Sequence, residues 1–166
     1  MSPKKFSQQT DEERIAAFLV SLACELNKRC GKRKTSEGVP EAYSGYSVEK
    51  DLLESAVYAP FQVFSNHRPR YASPYDRAAA LIVHIAKGHP FGDGNKRTAL
   101  HLGLSYLRYL SIRITEPDGE AGSRFVEEIV ISSHPYDLLI RQASQLLQEW
   151  TEPDATAKSH RSKPNE

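Results

Sequence analysis

Residues 89–100 read HPFGDGNKRTAL and separate two apolar segments that have helical spacing. The first segment ends at Gly88 and the second begins at Leu100. The connection between them carries a His, an Asp, an Asn, a Lys and an Arg, which is a high density of functional groups for a loop. It also leads into a helix N-terminus, where unpaired backbone N–H groups and the positive end of the helix dipole favour an anion. We therefore interpret residues 89–100 as a catalytic loop that binds phosphate.

His89 and Asp93 are the residues of this loop that suit proton and metal chemistry. A lone His at a helix end is usually structural, but an imidazole beside phosphate-binding groups is suited to accept a proton from a hydroxyl as general base. Asp93 is the only carboxylate in the loop. It either caps the following helix or helps to hold Mg²⁺, a hard ion that takes one or two carboxylates together with phosphate oxygens. We expect His89 to be catalytic and Asp93 to position the metal.

The four residues after Asp93 are expected to contact phosphate. Gly94 allows the backbone to approach a phosphate closely or to adopt a positive φ. Asn95 either donates its amide to a phosphate or holds the loop through backbone contacts. Lys96 and Arg97 lie unfavourably beside the positive end of a helix dipole unless an anion binds there. We expect Lys96 to act as a point charge and Arg97 as a bidentate donor.

Phe91 and two flanking histidines complete the candidate residues. Phe91 alternates with the polar residues and is expected to anchor the loop in the core rather than to contact a nucleotide. His84 and His101 lie on either side of the loop and, with His89 and Asp93, suggest a metal-dependent hydrolase as an alternative. The sequence contains no H-E-x-x-H motif and no adjacent His-Asp pair, so we disfavour that alternative.

The loop resembles the signature of the Fic/Doc (Fido) family, whose general pattern is H-x-F-x-[DE]-G-N-G-R-x-x-R. The residues on matching positions are His89, Phe91, Asp93, Gly94, Asn95 and Arg97. Lys96 replaces the second Gly of the pattern, and Leu100 replaces its final Arg. Both departures are typical of the Doc (death-on-curing) branch, which reads H-x-F-x-D-x-N-K-R-T-A-L.

The resemblance, clearest between Ser47 and Leu110, implies an all-α, Fido-type helical bundle. A small β-flap next to the active-site loop would fall at roughly Pro60–Ser65. The resemblance further implies a Doc-like toxin of a toxin–antitoxin system, which uses Mg²⁺ and transfers the γ-phosphate of ATP to a Thr or Ser hydroxyl of a target protein. By resemblance the target is elongation factor Tu, whose modification blocks translation. The implied partner is an antitoxin whose disordered C-terminal segment folds into the toxin's groove.

A Fic-type AMP transferase is the first alternative. For such proteins the resemblance assigns the α- and β-phosphates to the anion site and the γ-phosphate to the final Arg. Lys96 fills space that a diphosphate would need, and Leu100 removes the guanidinium, so both departures favour a kinase with ATP bound in the opposite orientation. The second alternative is a catalytically silent Fido domain that only binds a partner. The retained polar residues of the motif disfavour it.

The composition is typical of a soluble globular protein, with 39% hydrophobic and 26% charged residues in a chain of 166 residues. The net charge of +1 gives no reason to expect direct binding to nucleic acid or to anionic membranes. Cys24 and Cys30 match no zinc or redox spacing, and no segment resembles a signal peptide or a membrane span. We therefore expect a reduced, cytoplasmic protein.

The chain is predicted to contain one domain, residues 10–150, between a disordered lead-in of residues 1–9 and a disordered tail of residues 151–166. Apolar residues at helical spacing predict five or six helices in the domain, the first over residues 11–30. The expected starts are a T-x-x-E capping box at Thr10, serine caps at Ser47, Ser73 and Ser123, the glycine at Gly94, and the pair His134-Pro135.

Two short patterns lie on or beside the first predicted helix. Five cations between Lys28 and Lys34 suggest either a nucleic-acid patch or a solvated helix end, and the lack of interleaved aromatic residues favours the solvated end. Residues 21–25 match the first five positions of the [ST]-x-x-x-E-[GN] motif of self-inhibited Fic proteins, but Leu26 breaks the sixth. We therefore expect inhibition by a separate antitoxin.

Overall fold

The computed structural model describes residues 9–30, 46–115 and 117–153. Within these ranges the chain forms six α-helices and one short 3₁₀ helix, Ala59–Phe61. The described residues form no sheet, only three isolated antiparallel bridges. The predicted all-α class is therefore confirmed. The helices are α1 Asp11–Cys30, α2 Lys50–Tyr58, α3 Pro74–Gly88, α4 Asn95–Tyr109, α5 Gly119–Ile131 and α6 Tyr136–Glu149.

Helix α3 is the centre of the bundle: α2, α4, α5 and α6 pack against it, and α1 packs on α2 and α4. Its segment from Ala78 to Val83 is completely buried. This matches the sequence, because an alanine-rich helix that is apolar on every face has to be surrounded by other helices. The packing of α4 on α3 is close at Gly103, where an added Cβ would lie 2.5 Å from Ile82 Cγ1. The helix pair that carries the 89–100 loop is therefore a tightly packed unit.

Local capping signals placed the starts of α1 and α3 correctly. Thr10 and Glu13 form the predicted capping box: the Thr10 N–H donates to Glu13 Oε2 at 2.8 Å, and the Glu13 N–H donates to Thr10 Oγ1 at 3.2 Å. Ser73 Oγ accepts a hydrogen bond from the Tyr75 N–H at 3.2 Å, with Pro74 in the first turn. In both cases the cap and its partner lie within three residues of each other, so the sequence contains the whole interaction.

Two other predicted starts are wrong. Helix α2 begins at Lys50 after Glu49, and Ser47 lies in an extended segment whose carbonyl accepts a hydrogen bond from the Gly92 N–H at 2.8 Å. Helix α5 begins at Gly119, where Asp118 Oδ1 accepts from the Ala121 N–H at 2.7 Å. Pro-Asp-Gly is a sequence typical of a turn, but here its Asp is the N-cap of α5. A serine or an aspartate can cap a helix or lie in a turn or loop, and the residue type alone does not decide between these roles.

The expected β-flap is reduced to a single bridge and is shifted along the chain. Pro60 and Phe61 belong to the buried 3₁₀ helix. The hairpin-like turn follows it, with a bridge between Val63 and Pro69 and a hydrogen bond of 2.8 Å from the Arg70 N–H to the Gln62 carbonyl. The 3₁₀ helix ends at Phe61, whose ring packs edge-on against the buried Tyr106 with ring centroids 5.5 Å apart.

The last described residues return to the end of α4. Thr151 bridges to Ile114, and the Glu152 N–H donates to the Arg113 carbonyl at 3.0 Å. The first two residues of the predicted tail are thus paired with the rest of the domain. The remaining tail from residue 154, residues 1–8 and the cations at positions 32–34 lie outside the described residues. No helix in the described part of the chain is both long and apolar enough to cross a membrane.

Candidate functional site

The 89–100 loop turns sharply between the C-terminus of α3 and the N-terminus of α4. His89 caps α3 with a left-handed backbone (φ 49°, ψ 55°), and Gly94 precedes α4 with φ 76°. The His89 N–H still donates to the Ile85 carbonyl at 3.2 Å. A positive φ suits Gly but strains a residue that has a Cβ. The strained position of His89 exposes its imidazole at the surface of a cleft, and strain of this kind is commonly found at functional sites.

Asn95 holds the loop in its turned conformation. Its Oδ1 accepts a hydrogen bond from the Phe91 N–H at 2.9 Å, and its Nδ2 donates to the Phe91 carbonyl at 2.8 Å. Phe91 itself is only 5% exposed, which is the environment that an anchor needs. Of the two interpretations that the sequence left open for Asn95, the geometry supports the structural one. Its carboxamide is engaged with Phe91, so what Asn95 can offer a phosphate is its backbone N–H in the first turn of α4.

Helix α1 holds the loop from a second side through Asn27. This side chain is 1% exposed, and its Nδ2 donates to the Asp93 carbonyl at 2.9 Å and lies 3.3 Å from Thr98 Oγ1. Sequence reasoning missed this residue. The available signal was an Asn that continues the buried stripe of Ala16, Leu19 and Ala23 at helical spacing. A polar residue on a buried helix face needs a hydrogen-bond partner, and here the partner is the candidate catalytic loop.

An extended segment before α2 holds the loop from a third side. Val48 bridges to Phe91, and the Glu49 N–H donates to the Pro90 carbonyl at 2.7 Å. The fit is close at Gly92, where an added Cβ would lie 2.6 Å from Ser47 Oγ. Among the described residues, this segment is the β-like element that contacts the loop. The hairpin after the 3₁₀ helix, predicted to lie next to the loop, does not line the cleft.

The cleft beside the loop has a volume of about 970 Å³. This volume is at the upper end of the range for small-molecule sites. Five of the predicted site residues besides Gly94 line it, whereas Phe91 lies in the core beneath the loop. The wall opposite the loop is formed by α5, and no motif or spacing in the sequence had pointed to this helix as part of the site. The functional groups that line the cleft include His89, Asp93, Asn95, Lys96, Arg97 and Ser123.

Asp93 has one carboxylate oxygen engaged with the protein. Its Oδ1 accepts from the Gly94 N–H at 2.6 Å, which fixes the orientation of the side chain at the mouth of the cleft. The described residues contain no group of three or more His, Cys, Asp or Glu that would hold a metal by themselves. A single oriented carboxylate beside a helix N-terminus fits Mg²⁺, which is commonly held by one protein carboxylate together with phosphate oxygens and waters.

Lys96 and Arg97 lie at the edges of the cleft and bind protein groups. Lys96 Nζ lies 3.4 Å from Glu127 Oε1 on α5. Arg97 donates through its terminal NH1 group to the Cys30 carbonyl at the end of α1, at 3.2 Å. Each cation keeps further N–H donors beyond these contacts, because an ammonium has three and a guanidinium has five. Both side chains can therefore also contact a phosphate in the cleft.

Leu100, the last residue of the motif, makes an apolar contact with α5. An added Cβ at Gly122 of α5 would lie 3.0 Å from Leu100 Cδ2 and 3.6 Å from Pro117. The two helices thus approach closely where Leu100 lies, and the absence of a side chain at Gly122 makes the contact possible. The position at which the Fic pattern has its final Arg is therefore occupied by an aliphatic packing residue.

His84 and His101 do not form a metal-binding cluster with His89 and Asp93. His101 lines the cleft, whereas His84 packs edge-on against Tyr136 of α6, with ring centroids 5.2 Å apart. Burial lowers the pKa of His84, the positive charge of Arg70 lowers it further, and Asp137 opposes both effects. The structure therefore gives His84 a place in the α3–α6 packing and separates it from the residues around His89.

Glu25, the residue of the candidate inhibitory motif, faces away from the loop. Its exposed carboxylate pairs with Lys28 at 3.2 Å, one turn further along α1, and Glu25 is absent from the lining of the cleft. Cys24 and Cys30 are both free thiols on this helix. Burial raises the pKa of the Cys24 thiol. The face of α1 that meets the loop is the one that carries Asn27, not the one that carries Glu25.

Comparison with known proteins assigns the loop and the helices around it to a known family. A search of curated proteins found no match. The family model described as "Fic/DOC family" matches residues 17–107, which is more than half of the 166 residues and extends from α1 through nearly all of α4. The match includes all of α3, nearly all of α4 and the part of α1 that carries Asn27. The chain therefore belongs to the Fic/DOC family.

Proposed function

We propose that this protein is a Doc-like kinase that transfers the γ-phosphate of ATP to a Ser or Thr hydroxyl of a target protein. The observation that carries the proposal is the packing of Leu100 against Gly122. An AMP transferase of the usual kind holds the terminal phosphate at this end of the motif with an Arg. Here the place is apolar and the cations are one turn earlier, at Lys96 and Arg97.

The first turn of α4 is the proposed phosphate site. The first N–H groups of a helix have no intrahelical acceptor, and those of Asn95, Lys96 and Arg97 lie in the first turn at the cleft. The positive end of the helix dipole and the two cationic side chains add to the attraction for an anion. With the γ-phosphate held there, its phosphorus would be next to the loop and to His89.

The proton chemistry is assigned to His89. Its imidazole nitrogen accepts the proton of the target hydroxyl as the oxygen forms a bond to the γ-phosphorus. The bond from this phosphorus to the bridging oxygen of ATP breaks, and ADP leaves with that electron pair. Asp93 would hold Mg²⁺, which neutralises charge on the phosphates when bound. Asn95 and Asn27 act indirectly, by fixing the backbone on either side of Asp93.

The biological role that we propose rests on the resemblance to the Doc branch. The target class is translation elongation factor Tu, and its modification would block translation in the cytoplasm. The partner is an antitoxin protein whose segment occupies the groove beside the loop. The outward orientation of Glu25 supports inhibition by a separate chain, since that carboxylate is paired with Lys28 and does not line the cleft.

Labelled ATP tests the proposed reaction. The protein is incubated with a cell lysate, or with purified elongation factor Tu, and with ATP labelled in the γ-phosphate or, separately, in the α-phosphate. We expect protein labelling from the γ position only, and we expect it to be lost in the His89→Ala variant. Labelling from the α position alone would establish AMP transfer and overturn the kinase proposal. Equal labelling with His89→Ala would show that His89 is not the base.

A further inference from the structure

A carboxylate on α5, that of Glu127, forms an ion pair with Lys96, one of the two cations of the proposed phosphate site. Glu127 Oε1 lies 3.4 Å from Lys96 Nζ and 3.5 Å from Ser123 Oγ, so one oxygen contacts both side chains. Lys96 and Ser123 line the cleft from opposite walls. Glu127 is thus the acidic group that neutralises the ammonium next to the first turn of α4.

We infer that Glu127 is an affinity-determining residue: its carboxylate is an internal counter-anion that weakens phosphate binding at Lys96. The inference rests on the proposed function, because it requires a phosphate at the start of α4. Without an anion, a lysine in the first turn of a helix is unfavourably placed beside the dipole. Glu127 supplies that anion from another helix in the nucleotide-free protein. A phosphate group arriving at the same ammonium meets a carboxylate of like charge.

The exposure of the pair makes the exchange possible. The side chains of Lys96 and Glu127 are 52% and 55% exposed, and a single contact of 3.4 Å joins them. An exposed pair of this kind is weak, because water solvates both charges. A phosphate that also receives backbone N–H groups from α4 is the stronger partner for Lys96. After the exchange, Glu127 keeps Ser123 as a donor on its own helix.

The test compares binding of Mg-ATP and of inorganic triphosphate by calorimetry in the full-length wild type and in Glu127→Gln. Gln keeps the size of the side chain and removes its charge. We expect both ligands to bind about three- to tenfold more tightly to the variant at low salt, with a smaller difference at high salt because added ions screen the repulsion. Inorganic triphosphate has no base or sugar, so tighter binding of this ligand locates the effect at the phosphate site.

Glu120→Gln is the matched control. Glu120 lies on the same helix and pairs with Arg124 at 2.7 Å in a more exposed contact, and Arg124, unlike Lys96, does not line the cleft. Its removal should leave the affinity unchanged. In the background of Lys96→Met, Glu127→Gln should produce a smaller gain, because the two residues act through one contact. Thermal unfolding of each variant shows whether the fold is retained.

Each outcome bears on the inference. Unchanged or weaker binding by Glu127→Gln overturns it, since a purely structural or orienting Glu127 would give that result. Equal gains for Glu120→Gln overturn it as well, because they would reflect net charge only. If the wild type transfers γ-phosphate in a His89-dependent reaction while Glu127→Gln binds as the wild type does, the inference fails and the proposed function stands. If the wild type binds neither ligand, both fail.

Discussion

The side-chain amide of Asn27 donates a hydrogen bond of 2.9 Å to the backbone carbonyl of Asp93, 66 residues away in the chain. This contact ties helix α1 to the backbone carbonyl of Asp93, the proposed metal ligand. Asn27 is only 1% exposed, so its amide donates to this carbonyl in a place shielded from solvent. The geometry of the loop therefore depends on a helix that contributes no group to the chemistry.

Replacing Asn27 by Leu should reduce stability and activity together. The Asp93 carbonyl and the Thr98 hydroxyl would both lose their hydrogen bond from the Asn27 amide. Leaving such shielded polar groups without a partner lowers the free energy of unfolding by about 1–3 kcal/mol. The loop would also be free to shift, so we expect a lower transfer rate. Urea denaturation and the γ-phosphate assay measure the two effects. Ser21→Ala, on the exposed face of the same helix, should change neither. A stable, fully active Asn27→Leu would show that the contact is dispensable.

Two replacements of His89, by Ala and by Gly, should lower the activity alike but differ in stability. Both His89→Ala and His89→Gly remove the imidazole, and we expect each to lower the transfer rate by about 10²–10⁴-fold. Their stabilities should differ, because the backbone has φ 49°. Gly relieves the left-handed strain and Ala does not, so the Gly variant should be about 0.5–1 kcal/mol more stable to urea than the Ala variant. Equal stability of the two variants would show that the backbone at position 89 relaxes at no cost.

Gly103 and Gly88 should respond in opposite ways to replacement by Ala. At Gly103 the new Cβ would lie 2.5 Å from Ile82 Cγ1 and 3.1 Å from the Ala78 carbonyl oxygen, so α3 and α4 must separate. We expect a loss of about 1–3 kcal/mol. At Gly88 no atom lies within 4 Å, and helix propensity should give a gain of about 0.5–1 kcal/mol. Chemical denaturation measures both changes, and a stabilised Gly103→Ala would contradict the close packing.

The pH dependence of stability should reflect His84. Burial keeps the pKa of the folded-state imidazole below its ordinary value of 6.5. The unfolded chain therefore binds more protons in the window below that value, and the free energy of unfolding falls as the pH is lowered through it. His84→Gln cannot titrate, so its stability should change less between about pH 7.5 and about pH 5.5. The exposed His134→Gln serves as control and should keep the slope of the wild type.

The parts of the fold that could be predicted are those whose interactions are local. The capping box at Thr10, the Ser73-Pro74 start and the apolar faces of the helices are complete within a few residues of sequence. The all-α class and the residues of the loop follow from these signals and from the motif. Asn95 remained ambiguous, because an amide can serve a ligand or the backbone equally well.

The rest of the site depends on partners that are distant in the chain. Asn27 contacts residues more than 60 positions away, and Glu127 lies 31 positions from Lys96. Ser47 and Ser123 look like caps in the sequence, but one accepts a backbone hydrogen bond from the loop and the other faces the cleft from α5. No periodicity or spacing specifies such pairs, since tertiary packing brings them together.

Lys87 should be important for the shape of the cleft although it lies outside it. Its ammonium donates to the carbonyls of Ile129, Val130 and Ser132 at 3.2, 3.4 and 2.8 Å, and so joins the end of α3 to the end of α5. Lys87→Met keeps the aliphatic stem and removes the three donors. The carbonyls at the C-terminus of α5 would lose a cation that their dipole favours, at a cost of about 1–2 kcal/mol.

The effect of Lys87→Met on activity should appear in substrate binding rather than in the chemical step. Helix α5 forms the wall opposite the loop, so a looser α5 should raise the KM for ATP about two- to fivefold and change kcat little, because uniform binding energy is lost. Steady-state kinetics with γ-labelled ATP measure this split. Lys50→Met is the control, since Lys50 pairs with Glu54 on the exposed side of α2, far along the chain from α5. A reduced kcat with unchanged KM would indicate instead that Lys87 acts on His89, two residues away.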